Sequence, residues 1–414
     1  MKKLVVLAVA AVVALNVFAA GFGIYEASSR GNSMGGALVG DTKPDASSMV
    51  YYNAAHSAFA TNIMVSAGLT FINPFYDPEV EHSSQNRMNS GWFTAPNFYL
   101  VVPLPCDFAF TWGNYTEFGL GSRYAPGWAL ADDTLKTTMR QVTMNPNLSY
   151  KITDKWSISA GPRISWIQFK RYSQPYWGTS LIPGVPYNLH SSLEGEDWGA
   201  GWTASTFYKI TDDWNVGLVY RSPIRHNIHG HFDLNGNIGP FPYPSEHTHA
   251  NAQLTLPESI TIGSNYNVTD RYRVGASLTY TRWSSLKEIY FNIPGHENTQ
   301  PFHWRDTPRV GFGMEYDLLS WLTPRIGYVF DRDPSRKSCS TTMLPPGDRH
   351  IIASGLGFKI TENLTFDVGF SLIRMNNQHY RVKVYQGTAN ERYAYFSAHN
   401  GFSYLVSANI SYSF

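Results

Sequence analysis

The sequence predicts an all-β fold: a 14-stranded antiparallel transmembrane β-barrel with an N-terminal plug, or hatch, inside its lumen. Three observations lead there. The chain opens with a secretory leader, yet no later stretch of 18 apolar residues is long enough for a membrane-spanning helix. Apolar and polar residues alternate with a period of two over long segments, the mark of strands. One turn motif recurs: YKITDKW (150–156), YKITDDW (208–214), YNVTDRY (266–272) and, more loosely, FKITENL (358–364).

The leader comes first. MKKLVVLAVAAVVALNVFA places Lys2 and Lys3 before an apolar run and ends on Val17-Phe18-Ala19, a small-residue cleavage site. Residues 1–19 are therefore expected to be a signal peptide. Losing Lys2 and Lys3 takes the formal charge from +1 to about −1, so no electrostatic case for nucleic acid exists. Aromatics make up 15% of the chain and charged residues only 15%, well below the roughly 25% of soluble domains. Two cysteines, Cys106 and Cys339, are too few for a disulfide scaffold.

Residues 20–61 do not alternate. They are rich in small residues, with short helical stretches expected near 44–56, and they read as the plug that a lumen of this width requires. Within them Gly31-Asn32-Ser33-Met34-Gly35 fits G-x-S-x-G. The strand and helix that would make it a nucleophile elbow are missing, so no catalysis is expected there.

Residues 62–414 are expected to form the barrel. In 403–414 the series Tyr404, Val406, Ala408, Ile410, Tyr412, Phe414 opposes a series of mostly Ser and Asn; 214–221, 309–316 and 364–372 repeat the pattern. An apolar face opposite a polar, Gly-rich face, with aromatics at strand ends, is the outer-membrane arrangement. Six short turns alternate with seven long segments and give fourteen strands: 62–73, 95–103, 106–115, 139–152, 155–172, 196–210, 213–224, 248–267, 270–289, 302–317, 321–331, 347–360, 362–376 and 401–414. Thr-Asp-x-aromatic reads as the periplasmic turn, with Asp tolerating the tight backbone and Trp or Tyr at the interface. Leu256-Pro257-Glu258 predicts a bulge.

The chain resembles the FadL/TodX family of outer-membrane transporters for fatty acids and other hydrophobic compounds. The likeness is carried by AGFGIYEASSRGNSMGGALVGD, TEFGLGSRYAPGW, MNPNLSYKITDKWSISAGP, LTLPESITIGSNYNV followed by YTRWSSLK, RDTPRVGFGMEYD and the terminal strand ending in Phe414. The family's hatch carries Asn-Pro-Ala, where this chain reads Asn53-Ala54-Ala55. The resemblance implies passive uptake: a ligand lands on an outer groove, moves to a lumen pocket and leaves sideways through a kink in the third strand. It implies no enzymatic activity and no cofactor.

The candidate residues follow. Trp177, Leu181, Ile182, Phe232 and Leu234, in the apolar segments 173–195 and 225–247, are expected to line an outer groove. Trp283 and Lys287 on one strand and Arg163 on another are expected to face the lumen and hold a carboxylate headgroup. The Lys of WSSLK also resembles a ligand-binding position of the family. Glu117, Phe118, Gly119 and Leu120 are expected to form the lateral opening, because Gly113, Gly119 and Gly121 crowd one strand end. His226, His229, His231, His247 and His249 cluster near one hairpin and read as a wet, histidine-rich loop rather than a metal site. Long-chain fatty acids are the favoured substrate, with aromatic or alkane hydrocarbons as the alternative. A general porin and a barrel lipid hydrolase stand as readings of another class. The expected partners are outer-membrane lipid and lipopolysaccharide, and the barrel-assembly machinery through Phe414; the chain is expected to be a monomer.

Overall fold

The computed structural model describes residues 21–414, apart from 82–87, 89–90, 126, 176–184, 186, 296–297, 344–346 and 385–391. The expected signal peptide lies outside the described residues.

Fourteen strands close into one antiparallel barrel. In chain order they are Met64–Val80, Phe93–Pro103, Phe108–Tyr115 continued by Gly119–Arg123, Lys136–Lys151, Trp156–Ser173, Tyr187–Thr211, Trp214–Arg221 continued by Ile224–Ile238, and Phe241–Leu256 continued by Ser259–Asn267. Then follow Tyr272–Thr281 with Glu288–Asn292, Asn298–Pro301 with Thr307–Tyr316, Leu322–Asp331, Arg349–Lys359, Leu364–Met375 with Gln378–Val384, and Arg392–Ser413. The first strand pairs with the last from Met64↔Ser413 onward, which removes both sheet edges. That closure lets a sheet sit in a bilayer, because it leaves no open strand edge toward lipid.

Side chains sort by phase. Leu148, Ile158, Ile164, Leu218, Ile262, Ile326, Ile352 and Ile410 point outward as a belt of exposed large apolar residues. Ser149, Ser159, Asn215, Asn265, Ser371 and Asn409 are buried on the inner face. An exposed apolar belt around a polar interior is stable only with lipid outside.

The recurring turn owes its shape to threonine, not to aspartate. Thr153, Thr269 and Thr361 each accept, through Oγ1, from the backbone N–H groups two and three residues on, at 3.0–3.3 Å. Thr211 accepts from Asp213 in the same way. Asp154 and Asp270 do not adopt positive φ; among the described non-glycine residues positive φ falls on Cys106, Asp107, His303 and Asn400.

Several extents differ from the sequence reading. The first strand continues to Val80, and Gln378–Val384 pairs with Arg392–Ala398 in the segment read as a loop. Segment 225–247 is no irregular loop but a hairpin that prolongs the seventh and eighth strands, paired from Leu256↔Ile224 to Phe241↔Ile238. The sixth strand likewise begins at Tyr187. Alternation there is masked by turn-forming Gly, Asn and Pro. The pairing of the eighth strand is interrupted at Pro257–Glu258, as a proline without an N–H demands.

Residues 21–61 lie inside the barrel. A short helix, Ser29–Ser33, is capped by Ser28 Oγ accepting from Gly31, and tight turns follow at Ser48–Tyr52 and Ala54–Phe59. Ser33, the centre of the G-x-S-x-G match, donates to the Ser29 carbonyl at 2.7 Å and is fully buried. Arg30 ties the segment to the wall. Its guanidinium reaches Asp41 at 2.6 Å and Glu315 at 2.8 Å, and Glu315 is also held by Arg273 at 2.8 Å and Arg325 at 2.9 Å.

Candidate functional site

The third strand breaks after Tyr115, and the break opens the wall. Below it, second and third strands pair from Pro103↔Ala109 to Phe98↔Asn114. Beyond it, Gly119–Arg123 pairs only with the fourth strand, from Gly119↔Arg140 to Arg123↔Lys136. Phe93–Asn97 of the second strand pairs only with the first. Among the described residues, the bridge Met88↔Tyr124 reconnects the two sides further out. Glu117, Phe118, Gly119 and Leu120 lie at this interruption.

The freed backbone groups find other partners, as buried ones must. Gln141 Oε1 accepts from the N–H of Glu117 at 2.9 Å and of Phe118 at 3.3 Å. The N-terminal segment supplies the rest: Ile24 donates to the Glu117 carbonyl at 2.7 Å, and Gly119 donates to the Phe22 carbonyl at 3.0 Å. Gly119 is needed for this approach, since a Cβ there would lie 2.6 Å from Ile24 Cδ1.

The Glu117 side chain turns inward and is buried. It pairs with Arg163, accepts from Thr143 at 2.9 Å, and lies 3.3 Å from Arg221. Arg163 also donates to the Ser222 carbonyl at 2.9 Å. Two candidate residues named for different roles thus meet in one ion pair. Arg221, missed by the sequence reading, completes it and stacks on Tyr51 at 4.7 Å.

A cavity of about 460 Å³ runs through the gap. Its inner wall includes Phe22, Glu26, Gln141 and Leu405; its outer lip includes Trp92, Pro96, Arg140 and Trp166. An adjoining pocket of about 30 Å³ is lined by apolar residues alone, among them Phe22, Leu120, Met139, Phe169, Ile228 and Phe291. Trp283 is buried beside it, its ring 5.0 Å from Phe22 and 5.1 Å from Trp304.

Lys287 requires a correction. It is exposed, not lumen-facing. The ninth strand stops at Thr281, a 3-10 turn follows at Trp283–Ser285, and the strand resumes only at Glu288, with Ile289 and Phe291 buried in the same phase as Thr279 and Thr281. Lys287 lies in the irregular stretch between the two parts, where alternation does not set its direction. The outer-groove expectation is also corrected for Leu234, which is buried against Tyr187 and Leu189. Phe232 is partly buried against the same residues. Trp177, Leu181 and Ile182 lie outside the described residues.

Asn53, Ala54 and Ala55 are bound to the wall on every side. Asn53 donates to the carbonyls of Val39 and Thr206 at 3.0 Å each, Ser149 donates to Ala54 at 2.8 Å, and Ser157 donates to Ala55 at 2.6 Å.

Among the described residues two serine–histidine pairs lie in the wall, His226–Ser165 and His379–Ser397, the latter exposed and 2.7 Å apart. His226 Nε2 lies 3.2 Å from Ser165 Oγ, and its Nδ1 lies 3.3 Å from Asp197. Ser165 is fully buried, faces the lumen and already receives Gln141 Nε2 at 2.9 Å. The His226–Ser165 pair packs the wall. The other histidines of the hairpin cluster, His229, His231, His247 and His249, are exposed; His247 bonds Asp233 at 2.6 Å and His229 bonds Asn251 at 2.7 Å. Among the described residues no three His, Cys, Asp or Glu side chains are arranged to hold a metal ion.

A closed antiparallel barrel with an apolar outer belt and a polar inner face defines an outer-membrane barrel. The chain belongs to the outer membrane protein transport protein family (OMPP1/FadL/TodX), whose model matches residues 10–414. It is 28% identical to a long-chain fatty acid transport protein of Escherichia coli O6:H1, across 98% of this chain and 96% of that protein. It is 24% identical to outer membrane protein P1 of Haemophilus influenzae, across 72% and 70%. Among solved structures, a FadL homologue of Pseudomonas aeruginosa superposes with a TM-score of 0.80 at 20% identity, covering 96% of this chain and all of that one. The toluene transporter TodX of P. putida superposes at 0.72 with 16% identity, covering 96% and 99%.

Proposed function

We propose that this chain takes up small hydrophobic molecules passively, from the outer surface into the lumen cavity and then sideways into the bilayer between the second and third strands. One observation carries the reading: where the second and third strands lose their pairing, a cavity lined by residues of both the inner and the outer face lies in the gap. An apolar ligand gains by this route. Crossing the aqueous side instead would re-expose it at roughly 0.8 kcal/mol per CH₂.

Long-chain fatty acids are the favoured cargo, supported by the relatives named for that transport. The apolar lining of the smaller pocket favours a second reading, a neutral hydrocarbon. The test is uptake of labelled oleate and labelled hexadecane by outer-membrane-matched cells lacking their own transporter. Sugar-sized polar solutes serve as the control. Uptake of polar solutes at the same rate would mean a porin, and uptake of neither lipid would end the proposal.

A further inference from the structure

We propose that Arg123, Lys136 and Arg140 form a binding patch for the phosphates of an anionic glycolipid in the outer leaflet. The strand register lays out the outer face as a grid. Val142, Trp166 and Trp198 stand side by side on the fourth, fifth and sixth strands. Trp198 is 60% exposed, and Trp202, four residues nearer the short-turn end, is 52% exposed. Such tryptophans mark the membrane–water boundary.

Charge begins one outward-facing step beyond. Arg140 stands beside Gln168 and Glu196; the next row is Thr138, Lys170 and Glu194; the next is Arg123, Lys136 and Tyr172. Lys170 is paired with Glu194. Among the described residues Arg123, Lys136 and Arg140 form no ion pair, and all three are exposed. Lys136 lies over the Tyr172 ring at 5.4 Å. By strand rise, Arg140 and Lys136 are about 13 Å apart, a span that suits two phosphates on one headgroup.

Cations on the lipid face of a barrel are costly unless an anion meets them. Placed just beyond the tryptophans, three unpaired cations call for lipid phosphate as counter-charge. Arg140 also lines the outer lip of the wall gap, so the bound lipid would flank the breach and seal its edge.

The test is native mass spectrometry of the folded chain in non-ionic detergent with diphosphoryl lipid A, monophosphoryl lipid A, or inorganic phosphate. The wild type should retain diphosphoryl lipid A, monophosphoryl lipid A more weakly, and inorganic phosphate not at all. Each cation near a lipid surface contributes about fivefold, so R123Q/K136Q/R140Q should lose affinity about a hundredfold, while K155Q/R271Q, at the short-turn end, should bind as wild type. Should the triple variant fail the heat-modifiability check for folding, K136Q and R140Q singly should each lose about fivefold. Equal binding by wild type and folded variants overturns the proposal, as does equal loss in K155Q/R271Q. Retention of inorganic phosphate without preference for the lipid would make the patch an anion site and overturn the lipid assignment.

Discussion

Ile24 donates its backbone N–H to the carbonyl oxygen of Glu117 at 2.7 Å, so the N-terminal segment is hydrogen-bonded to the wall where the third strand has left the second. The bridge Gly23↔Phe118 makes the segment a short substitute strand on the inside of the breach. Whatever displaces Phe22–Ile24 must also disturb the kink, and the reverse holds.

That coupling makes Gly119→Val informative. The new side chain would start 2.6 Å from Ile24 Cδ1, so the Ile24 side chain on the inside of the breach must shift. We expect uptake of labelled oleate to fall about tenfold at matched outer-membrane levels, with ligand binding to the purified barrel retained. Unchanged uptake would show that ligand does not pass this point.

Arg163 is committed to Glu117 and to the Ser222 carbonyl, which leaves it to hold the kink rather than to read a headgroup. Removing one partner of a buried pair costs about 3–5 kcal/mol. Arg163→Ala should therefore lower assembly yield and reduce oleate and hexadecane uptake alike. A selective loss of oleate would return Arg163 to the ligand site.

Strand count and inner and outer faces were legible in the sequence because a barrel wall repeats one rule, alternation, some fourteen times. Lys287 was misplaced because the strand is interrupted between Thr281 and Glu288, and nothing in WSSLK announces that alternation pauses there. Leu234 was misplaced because Gly, Asn and Pro in 235–245 look like loop while the ladder continues through them. The Glu117–Arg163–Arg221 cluster joins three strands, and no local pattern encodes such a meeting. The partner that could have been suspected is Gln141, an inward-phase amide opposite the glycine-rich end of the third strand.

Arg30 offers a test of how firmly the lumen is filled. Arg30→Met removes the Asp41 and Glu315 contacts, but Glu315 keeps Arg273 and Arg325. Asp41 is left buried without its partner, a cost of about 3–5 kcal/mol borne by the N-terminal segment. Planar-bilayer conductance should rise while the heat-modifiable gel shift of the folded barrel persists. Conductance identical to wild type would mean the wall holds the segment without this cluster.

The loop between the eleventh and twelfth strands should respond to pH. Burial pushes the Asp333 carboxyl up from 3.8 to about 6, against opposing bonds from Ser335. Burial and then the neighbouring Asp333 push Asp348 to about 7, and Asp348 Oδ1 is buried without a partner. The folded loop keeps these protons after the unfolded chain has released them. Local stability is therefore fullest below about pH 4, falls as pH rises toward 7, and then levels off. Amide exchange in 332–343, corrected for its intrinsic rate, should be faster at pH 7.5 than at pH 4.5. Asp348→Asn should remove most of that difference, and a difference that survives it would place the titration elsewhere.

Phe93 is the side chain most directly in the way. It stands on the second strand where pairing with the third has ceased, and it lines the cavity through the gap. A Cβ on Gly121 would fall 2.1 Å from its ring, so the ring occupies the space that a side chain on the opposite strand would fill. Phe93 thus spans the gap where backbone hydrogen bonds do not. Its ring is only half-buried, so Phe93→Ala should cost less than the about 3–5 kcal/mol of a fully buried Phe, and the barrel should still assemble. Without the ring the breach widens at its narrowest contact. Uptake of both oleate and hexadecane should rise severalfold, while affinity in the purified barrel stays near wild type, because the adjoining apolar pocket does not include Phe93. Equal uptake by Phe93→Ala and wild type would mean that passage through the wall is limited elsewhere. Reduced binding in the purified variant would mean that the ring belongs to the binding pocket and not to the doorway.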